Sequence, residues 1–140
     1  MPASQAVVTN GTVLKVGNGA SPEVFTAVAE VVDINSPSAA AGEIEVTHLL
    51  SAAKEFKGGL RDFGTAEVTI NLLPGNAGQE QIEDDAATGA VRNYQIVNAD
   101  GVTGRAFAAF VKAFKLAPIA IDKPLQATIT FRATGEVTRL

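Results

Sequence analysis

The sequence has no cysteine and no tryptophan, and only one histidine and one tyrosine. Without cysteine the chain has no disulfides, no thiolate nucleophile and no cysteine-ligated zinc. This absence does not fix the cellular compartment, because 140 residues can bury a core that needs no disulfide. The shortage of large rings disfavours a ligand pocket lined by aromatic side chains.

Long hydrophobic runs and an excess of positive charge are also missing. No apolar run approaches the ~20 residues needed to span a bilayer, and the opening Met1-Pro2-Ala3 lacks the basic region of a secretory signal. The formal net charge is -4, whereas proteins that hold nucleic acid through its phosphates are normally basic. We therefore expect a soluble protein that neither enters a membrane nor binds nucleic acid without regard to sequence.

Patterns that carry catalysis or metal binding are absent. A Ser-His-Asp arrangement would have to use His48, which falls at the end of a predicted strand beside a loop. Residues 83–85 are consecutive acids on a predicted helix, so their carboxylates fan apart instead of converging on one ion. Glu43 and Glu45 point together from one strand, but nothing else marks a sugar cleft. We predict no enzymatic activity, no metal and no cofactor.

The chain is instead rich in the alternation of hydrophobic and polar residues that marks a half-buried strand. Residues 65–72 show this pattern most clearly. In 105–116 several phenylalanines have helical spacing, yet no good capping residue opens the segment, so we predict a strand. The remaining predicted strands cover 12–16, 25–34, 43–48, 91–98 and 126–134.

One helix is predicted over residues 76–88. Asn76 can cap its N-terminus, with Gln79 three residues later completing a capping box. Gly89 is a suitable residue to end it. The apolar face is narrow, and the acidic residues, Asp85 among them, are expected to face water. The helix should therefore lie on the surface of the domain.

Residues 49–64 have neither helical nor strand periodicity. A loop of this length is uncommon in a compact domain and usually has a function. It mixes apolar and basic side chains, as in the anchors and charged rim of a protein interface, and paired glycines permit close approach of another backbone. The alternative is a loop that folds back on its own domain. The candidate interface residues are Leu50, Lys54, Phe56, Lys57, Gly58, Gly59, Leu60, Arg61, Asp62 and Phe63.

The order of these motifs is more informative than any one of them. In chain order they are a Gly-Glu strand (42–47), a loop ending in Phe-Lys-Gly-Gly-Leu-Arg-Asp-Phe-Gly (56–64), an alternating strand (65–72), Leu-Pro-Gly-Asn before the helix (73–76), a Gly-Arg-Ala-Phe strand (104–107) and Ala-Thr-Ile-Thr-Phe (127–131). Over residues 11–135 this order resembles the tail tube proteins, or major tail proteins, of bacteriophages with long non-contractile tails.

The resemblance implies a mainly β tail-tube fold over residues 1–140, a β-sandwich or partial barrel with one short flanking helix. Six subunits would form a ring around a channel, and rings would stack into the tail tube of the virion. The long loop 49–64 would reach the neighbouring ring. An N-terminal arm (1–11) and a C-terminal tail (136–140) would cover seams between subunits.

The resemblance also implies partners and a location. The chain would bind copies of itself and also tape measure, tail tip and tail terminator proteins. It would be made in the host cytoplasm and become part of the phage tail, and DNA would pass through the tube without specific binding.

A conduit for DNA should carry acidic and neutral polar side chains on its lumen, the inverse of a basic binding groove. The lumen candidates are Glu43, Glu45, Glu67, Thr69 and Asn71. Two alternatives remain open. One is a small monomeric β-barrel or sandwich that binds a ligand such as a carbohydrate. The other is the tube protein of a related contractile or type VI secretion-like system.

Overall fold

The computed structural model describes residues 10–140, so nine residues of the predicted N-terminal arm (1–11) lie outside the described residues. The described part is mainly β. Its elements are β1 (Val13–Gly17), β2 (Phe25–Ala27), β3 (Val31–Asn35), β4 (Ala40–Glu45), β5 (Phe56–Asp62), β6 (Thr65–Asn71), α1 (Ala77–Thr88), β7 (Val91–Val97), β8 (Gly104–Leu116), β9 (Gln126–Ala133) and β10 (Thr138–Arg139). This confirms the predicted fold class.

One large, curved sheet contains all strands except β4 and β5. Its strand order is β2-β1-β7-β8-β9-β6-β3, and β10 pairs with β8. All neighbours are antiparallel. Within residues 10–140 the sheet does not close on itself, so it is a partial barrel whose outermost strands are β2 and β3. β4 and β5 form a separate two-stranded sheet.

The core lies inside the curve of the large sheet and is built by strict alternation. In β6 and β9 every second residue is buried, including Val68, Ile70 and Phe131. Tyr94 of β7 packs its ring 4.7 Å from that of Phe131. Ile82 of α1 is fully buried and belongs to the same cluster. The period-two pattern therefore fixes which face of each strand meets the core.

The segment 25–34, predicted as one strand, forms two. Glu30 adopts a left-handed conformation with φ 59°, which interrupts the extended chain between β2 and β3. β2 pairs with β1, whereas β3 pairs with β6. The kink thus lets one stretch of chain pair with both sides of the partial barrel.

The structure confirms most of what the sequence predicted for helix α1. The side chain of Asn76 accepts the Gln79 N–H at 3.1 Å, and Gly89 ends the helix at φ 74°. The capping box is wrong, because the Gln79 side chain bonds to Leu73 N–H and to the carbonyls of Ala29 and Asn71. These three bonds fasten the first turn of the helix to the end of the sheet.

The predicted exposure of Asp85 is also wrong. Asp85 is buried, and it accepts hydrogen bonds from Arg92 Nε at 3.1 Å and Gln81 Nε2 at 3.0 Å. A carboxylate can be buried when a positive partner and hydrogen bonds offset its desolvation. Arg92 comes from β7, so this pair ties the helix to the strand that follows it.

Gly104 begins β8 where β7 passes very closely. A Cβ at this position would overlap the carbonyl oxygen of Ile96. We expect Gly104→Ala to lower the free energy of unfolding by about 1–3 kcal/mol, because the backbones must separate. Gly42→Ala is the matched control, since a Cβ there meets no atom within 4 Å. Urea unfolding of both variants checks this prediction, which fails if the two lose equal stability.

Candidate assembly interface

The segment predicted as a patternless loop over 49–64 is half of a β-hairpin. Its second half contains β5, which pairs with β4 from Glu45↔Phe56 to Ala40↔Asp62. A register shift lies between Ala41 and Glu43, opposite Gly59 and Leu60 of β5. The extra residue of such a bulge interrupts the alternation of side chains between the two faces of a strand. The sequence of β5 therefore shows no period of two. The loop prediction is therefore wrong for Phe56–Asp62.

This hairpin, residues 40–62, projects from the domain. None of its residues is buried. Leu50 and Leu60 are 91% and 96% exposed, and the other predicted interface residues from Lys54 to Asp62 also lie on it. Phe63 is the exception, because it is only 8% exposed and packs at the hairpin base. Its side chain therefore offers little surface to a partner. A projecting strand pair with bare leucines is a surface that needs a partner.

The tip of the hairpin is held in shape by polar contacts. Ser51 Oγ donates to Glu55 at 2.6 Å, and His48 Nε2 lies 3.4 Å from the same carboxylate. The Leu50 N–H donates to His48 Nδ1 at 3.2 Å. These contacts order the turn while Leu49 and Leu50 point into solvent. His48 therefore has a structural role in the tip.

The base of the hairpin is fastened to the large sheet by Asp62. Its carboxylate accepts both the Gly64 N–H at 2.9 Å and the Arg132 guanidinium at 2.9 and 3.0 Å. The Gly64 N–H first, and then the Arg132 bond, hold the pKa of Asp62 below its ordinary value of 3.8. Hydrogen bonds to the charged form are the physical cause.

A lowered pKa stabilises the folded base above the ordinary pKa of aspartate, and that stability is lost as pH falls through the lowered value. We expect the Asp62 carboxyl to titrate below 3.8 in an NMR pH series. Arg132→Gln should move this pKa upward without restoring it fully, because the Gly64 N–H remains. An unchanged pKa in the variant would contradict the assigned role of Arg132.

The outward face of the large sheet is polar along β3, β6 and β9. Glu67, Thr69 and Asn71 share this face of β6, opposite the buried Val68 and Ile70. Their partners on β9 and β3 are polar as well. These partners are Asp33, Asn35, Gln126, Thr128 and Thr130. Three of the predicted lumen residues thus lie together on one polar surface.

The other two lumen candidates lie elsewhere. Glu43 and Glu45 are on β4 of the hairpin, which belongs to a different sheet. The structure therefore separates the five residues into two groups. The sequence showed the polar face of each strand, but the sheet to which a strand belongs depends on pairing partners far along the chain.

Two unpaired strand edges border the polar face. Among the residues that the structure describes, β3 has a neighbour on one side only, namely β6. β8 pairs with β7 up to Phe110, whereas its distal half, residues 111–116, pairs with β9 alone. The free N–H and C=O groups of an unpaired edge readily form hydrogen bonds with another strand unless something covers them.

An apolar loop, residues 117–125, lies at the far end of β8 and was not singled out from the sequence. Ile119 and Ile121 in it are 81% and 90% exposed. Two prolines frame the loop, and the Leu72 N–H bonds to the Leu125 carbonyl at 2.7 Å. The available signal was the cluster of hydrophobic residues between the prolines, where a turn is usually polar.

The predicted C-terminal tail, 136–140, contains β10, which pairs with Arg105 and Ala106 of its own chain.

Among the described residues no group of three or more histidine or acidic side chains is placed to hold a metal ion. Over residues 10–140, the single helix is too short and too polar to cross a bilayer.

A family model described as "Lambda phage tail tube protein, TTP" matches residues 7–139. The chain belongs to this tail tube family. The match spans nearly the whole sequence and confirms the resemblance that its motif order showed. Tail tube proteins are structural components of the virion. The search of curated proteins gave no match.

Solved structures share the tail-tube fold at low sequence identity. A chain of a gene transfer agent virion has a TM-score of 0.74 at 16% identity, over 96% of this chain and 99% of that one. The SPP1 tail tube has a TM-score of 0.73 at 14% identity, over 96% and 78%. A chain of the sheath-tube complex of an extracellular contractile injection system has 0.71 at 10%, over 98% and 93%. At these identities the likeness establishes the fold alone.

Proposed function

We propose that this tail tube protein, as one domain, forms rings of six that stack into the tail tube of a phage-like virion. The tube is the conduit through which DNA leaves the particle. The observation that carries the proposal is the polar four-stranded part of the sheet with a free edge on each side. A tail from the same structural class, that of an empty gene transfer agent particle, has C6 symmetry.

The two free edges are suited to pair with each other across subunits. In the order β3-β6-β9-β8, neighbours are antiparallel, so β3 and β9 run one way and β6 and β8 the other. Rotation about an axis along the strands preserves these directions. The distal half of β8 would therefore meet β3 of the next copy in antiparallel orientation. Repetition around the ring closes a barrel and removes these two edges.

The polar face supplies a suitable lumen for this barrel. It presents Glu67, Thr69 and Asn71 together with threonines of β9. Its cations are Arg132, which is already bonded to Asp62, and Lys115, which lies opposite Thr128. A surface with few free cations gives DNA phosphates little to bind, so the genome can slide. The net charge of -4 acts in the same direction.

The projecting hairpin supplies the contact between rings. Its exposed leucines and basic residues are the anchors and rim expected at an interface. Tail terminator, tail tip and tape measure proteins are proposed to meet the tube at its ends and in its lumen. Assembly follows synthesis in the host cytoplasm.

The fold is shared with contractile injection systems, and the family model of the lambda type favours a non-contractile tail. Negative-stain electron microscopy of the purified protein tests the proposal. We expect rings and hollow tubes whose number grows with concentration. A strictly monomeric protein at high concentration, or solid filaments without a lumen, would contradict it.

A further inference from the structure

The most exposed hydrophobic surface outside the hairpin lies around the loop 117–125. Ile119 and Ile121 extend from it, and Leu73 and Leu125 flank a shallow groove beside the first turns of α1. We call this surface the acceptor end; it consists of residues 116–125, 72–75, Glu80 and Glu83. A loop of this composition on a folded domain is a surface that another protein covers.

The acceptor end and the hairpin lie at opposite ends of the same sheet. In the β6–β9 ladder, Thr65↔Arg132 is the pair at one end and Asn71↔Gln126 is the pair at the other. The hairpin enters β6 at Thr65, whereas the loop 117–125 enters β9 at Gln126. The six steps between these pairs correspond to roughly 20 Å along the strands. A copy stacked in the same orientation would therefore bring its hairpin to the acceptor end of its neighbour.

The charges at the two ends are complementary. The distal part of the hairpin carries Lys54 and Lys57 against one unengaged carboxylate, Glu45, because Glu55 is already engaged by Ser51 and His48. At the acceptor end Glu80 and Glu83 line the groove and are exposed. The loop itself contributes one acid and one base, Asp122 and Lys123, which offset each other. Stacking in one orientation would therefore bring the lysines of the hairpin towards acidic residues that line a groove with Leu73 and Leu125.

The acceptor end is also shaped before any partner arrives. The Ala117 N–H bonds to the Gln126 carbonyl at 2.9 Å, and the Leu72 N–H bonds to the Leu125 carbonyl at 2.7 Å. The hairpin tip is ordered by its own polar contacts. Two pre-ordered surfaces lose little conformational entropy on association.

From these observations we infer that the hairpin tip of one copy docks on the acceptor end of a copy in the adjacent ring. The inference rests on the proposed tube assembly and names the surface that receives the hairpin. Leu49 and Leu50 pack against Ile119 and Ile121, and the lysines meet the glutamates of α1. The contact is head-to-tail, which propagates without closing and so builds a filament of rings.

Disulfide trapping in this cysteine-free chain tests the contact. A chain carrying both Leu50→Cys and Ile121→Cys should give covalent ladders of many subunits when its tubes are oxidised. Each single variant can give dimers at most. Leu50→Cys with Val102→Cys is the matched control, because Val102 is exposed at the same end of the sheet as the hairpin. Tubes that yield no ladder with the first pair, or a ladder with the control pair, overturn the inference.

A charge exchange gives a second test that needs no cysteine. Glu80→Lys with Glu83→Lys should raise the concentration at which tubes appear by about tenfold, because lysines then face lysines. Adding Lys54→Glu and Lys57→Glu should restore assembly. Failure of this restoration, with all variants folded by circular dichroism, contradicts the pairing. Absence of tubes from the unaltered protein would instead overturn the proposed function itself.

Discussion

Replacement of residues 46–55 by Asn-Gly is expected to abolish tubes while leaving the domain folded. The pair Glu45↔Phe56 would then flank a two-residue turn, the length that antiparallel strands accept most readily. The deleted residues bury nothing in their own domain, so the free energy of unfolding should change little. All subunits of a ring lose their stacking contact at once. A loss of about 1 kcal/mol of association free energy per contact is therefore multiplied by the number of subunits in the ring.

Size-exclusion chromatography and electron microscopy measure this result, and thermal unfolding verifies the fold. The point variant Leu49→Asp with Leu50→Asp should have the same effect. Val102→Asp is its control, because this side chain is also largely exposed but belongs to the turn between β7 and β8. Normal tubes from the shortened protein would show that the hairpin has no part in stacking.

Phe131→Ala is expected to lower the free energy of unfolding by about 3–5 kcal/mol. Its ring is fully buried and packs at a tilt of 56° against that of Tyr94 in the core. This loss is a large fraction of the 5–15 kcal/mol (roughly) that holds a typical domain together. The same substitution at Phe56, on the exposed hairpin, should cost less than about 0.5 kcal/mol and should impair assembly instead.

The two phenylalanine variants are best measured by urea unfolding in the background without residues 46–55, where association does not contribute to stability. Tube formation is then scored in the full-length chain. Phe131→Ala with near-native stability would contradict the position of the core. Phe56→Ala with a large loss of stability would show that the hairpin packs on its own domain.

Local sequence patterns predicted those parts of the fold that neighbouring residues determine. Alternation in β6 and β9 requires only that one face be buried, and the caps of α1 require only Asn76 and Gly89. The burial of Asp85 could not be predicted in this way. It depends on Arg92, which reaches the helix from the next strand.

The assembly surfaces were predicted in part. The composition of 49–64 indicated an interface, but the bulge opposite Gly42 concealed a strand and made a hairpin resemble a loop. Phe63 has the same side chain as Phe56, and only the tertiary structure shows that one is buried and the other exposed. The loop 117–125 was missed because exposed isoleucines alone do not indicate an interface. They do so here only because the projecting hairpin lies at the opposite end of the sheet.

A cryo-electron microscopy map of the polymer that the purified protein forms tests the proposed assembly most directly. We predict a sixfold tube whose lumen is lined by β3, β6, β9 and the distal half of β8, with Glu67 and Thr69 facing the channel. We also expect density for the hairpin crossing to the loop 117–125 of the adjacent ring. A lumen lined by other strands, or a hairpin confined to its own ring, would contradict the proposed assembly.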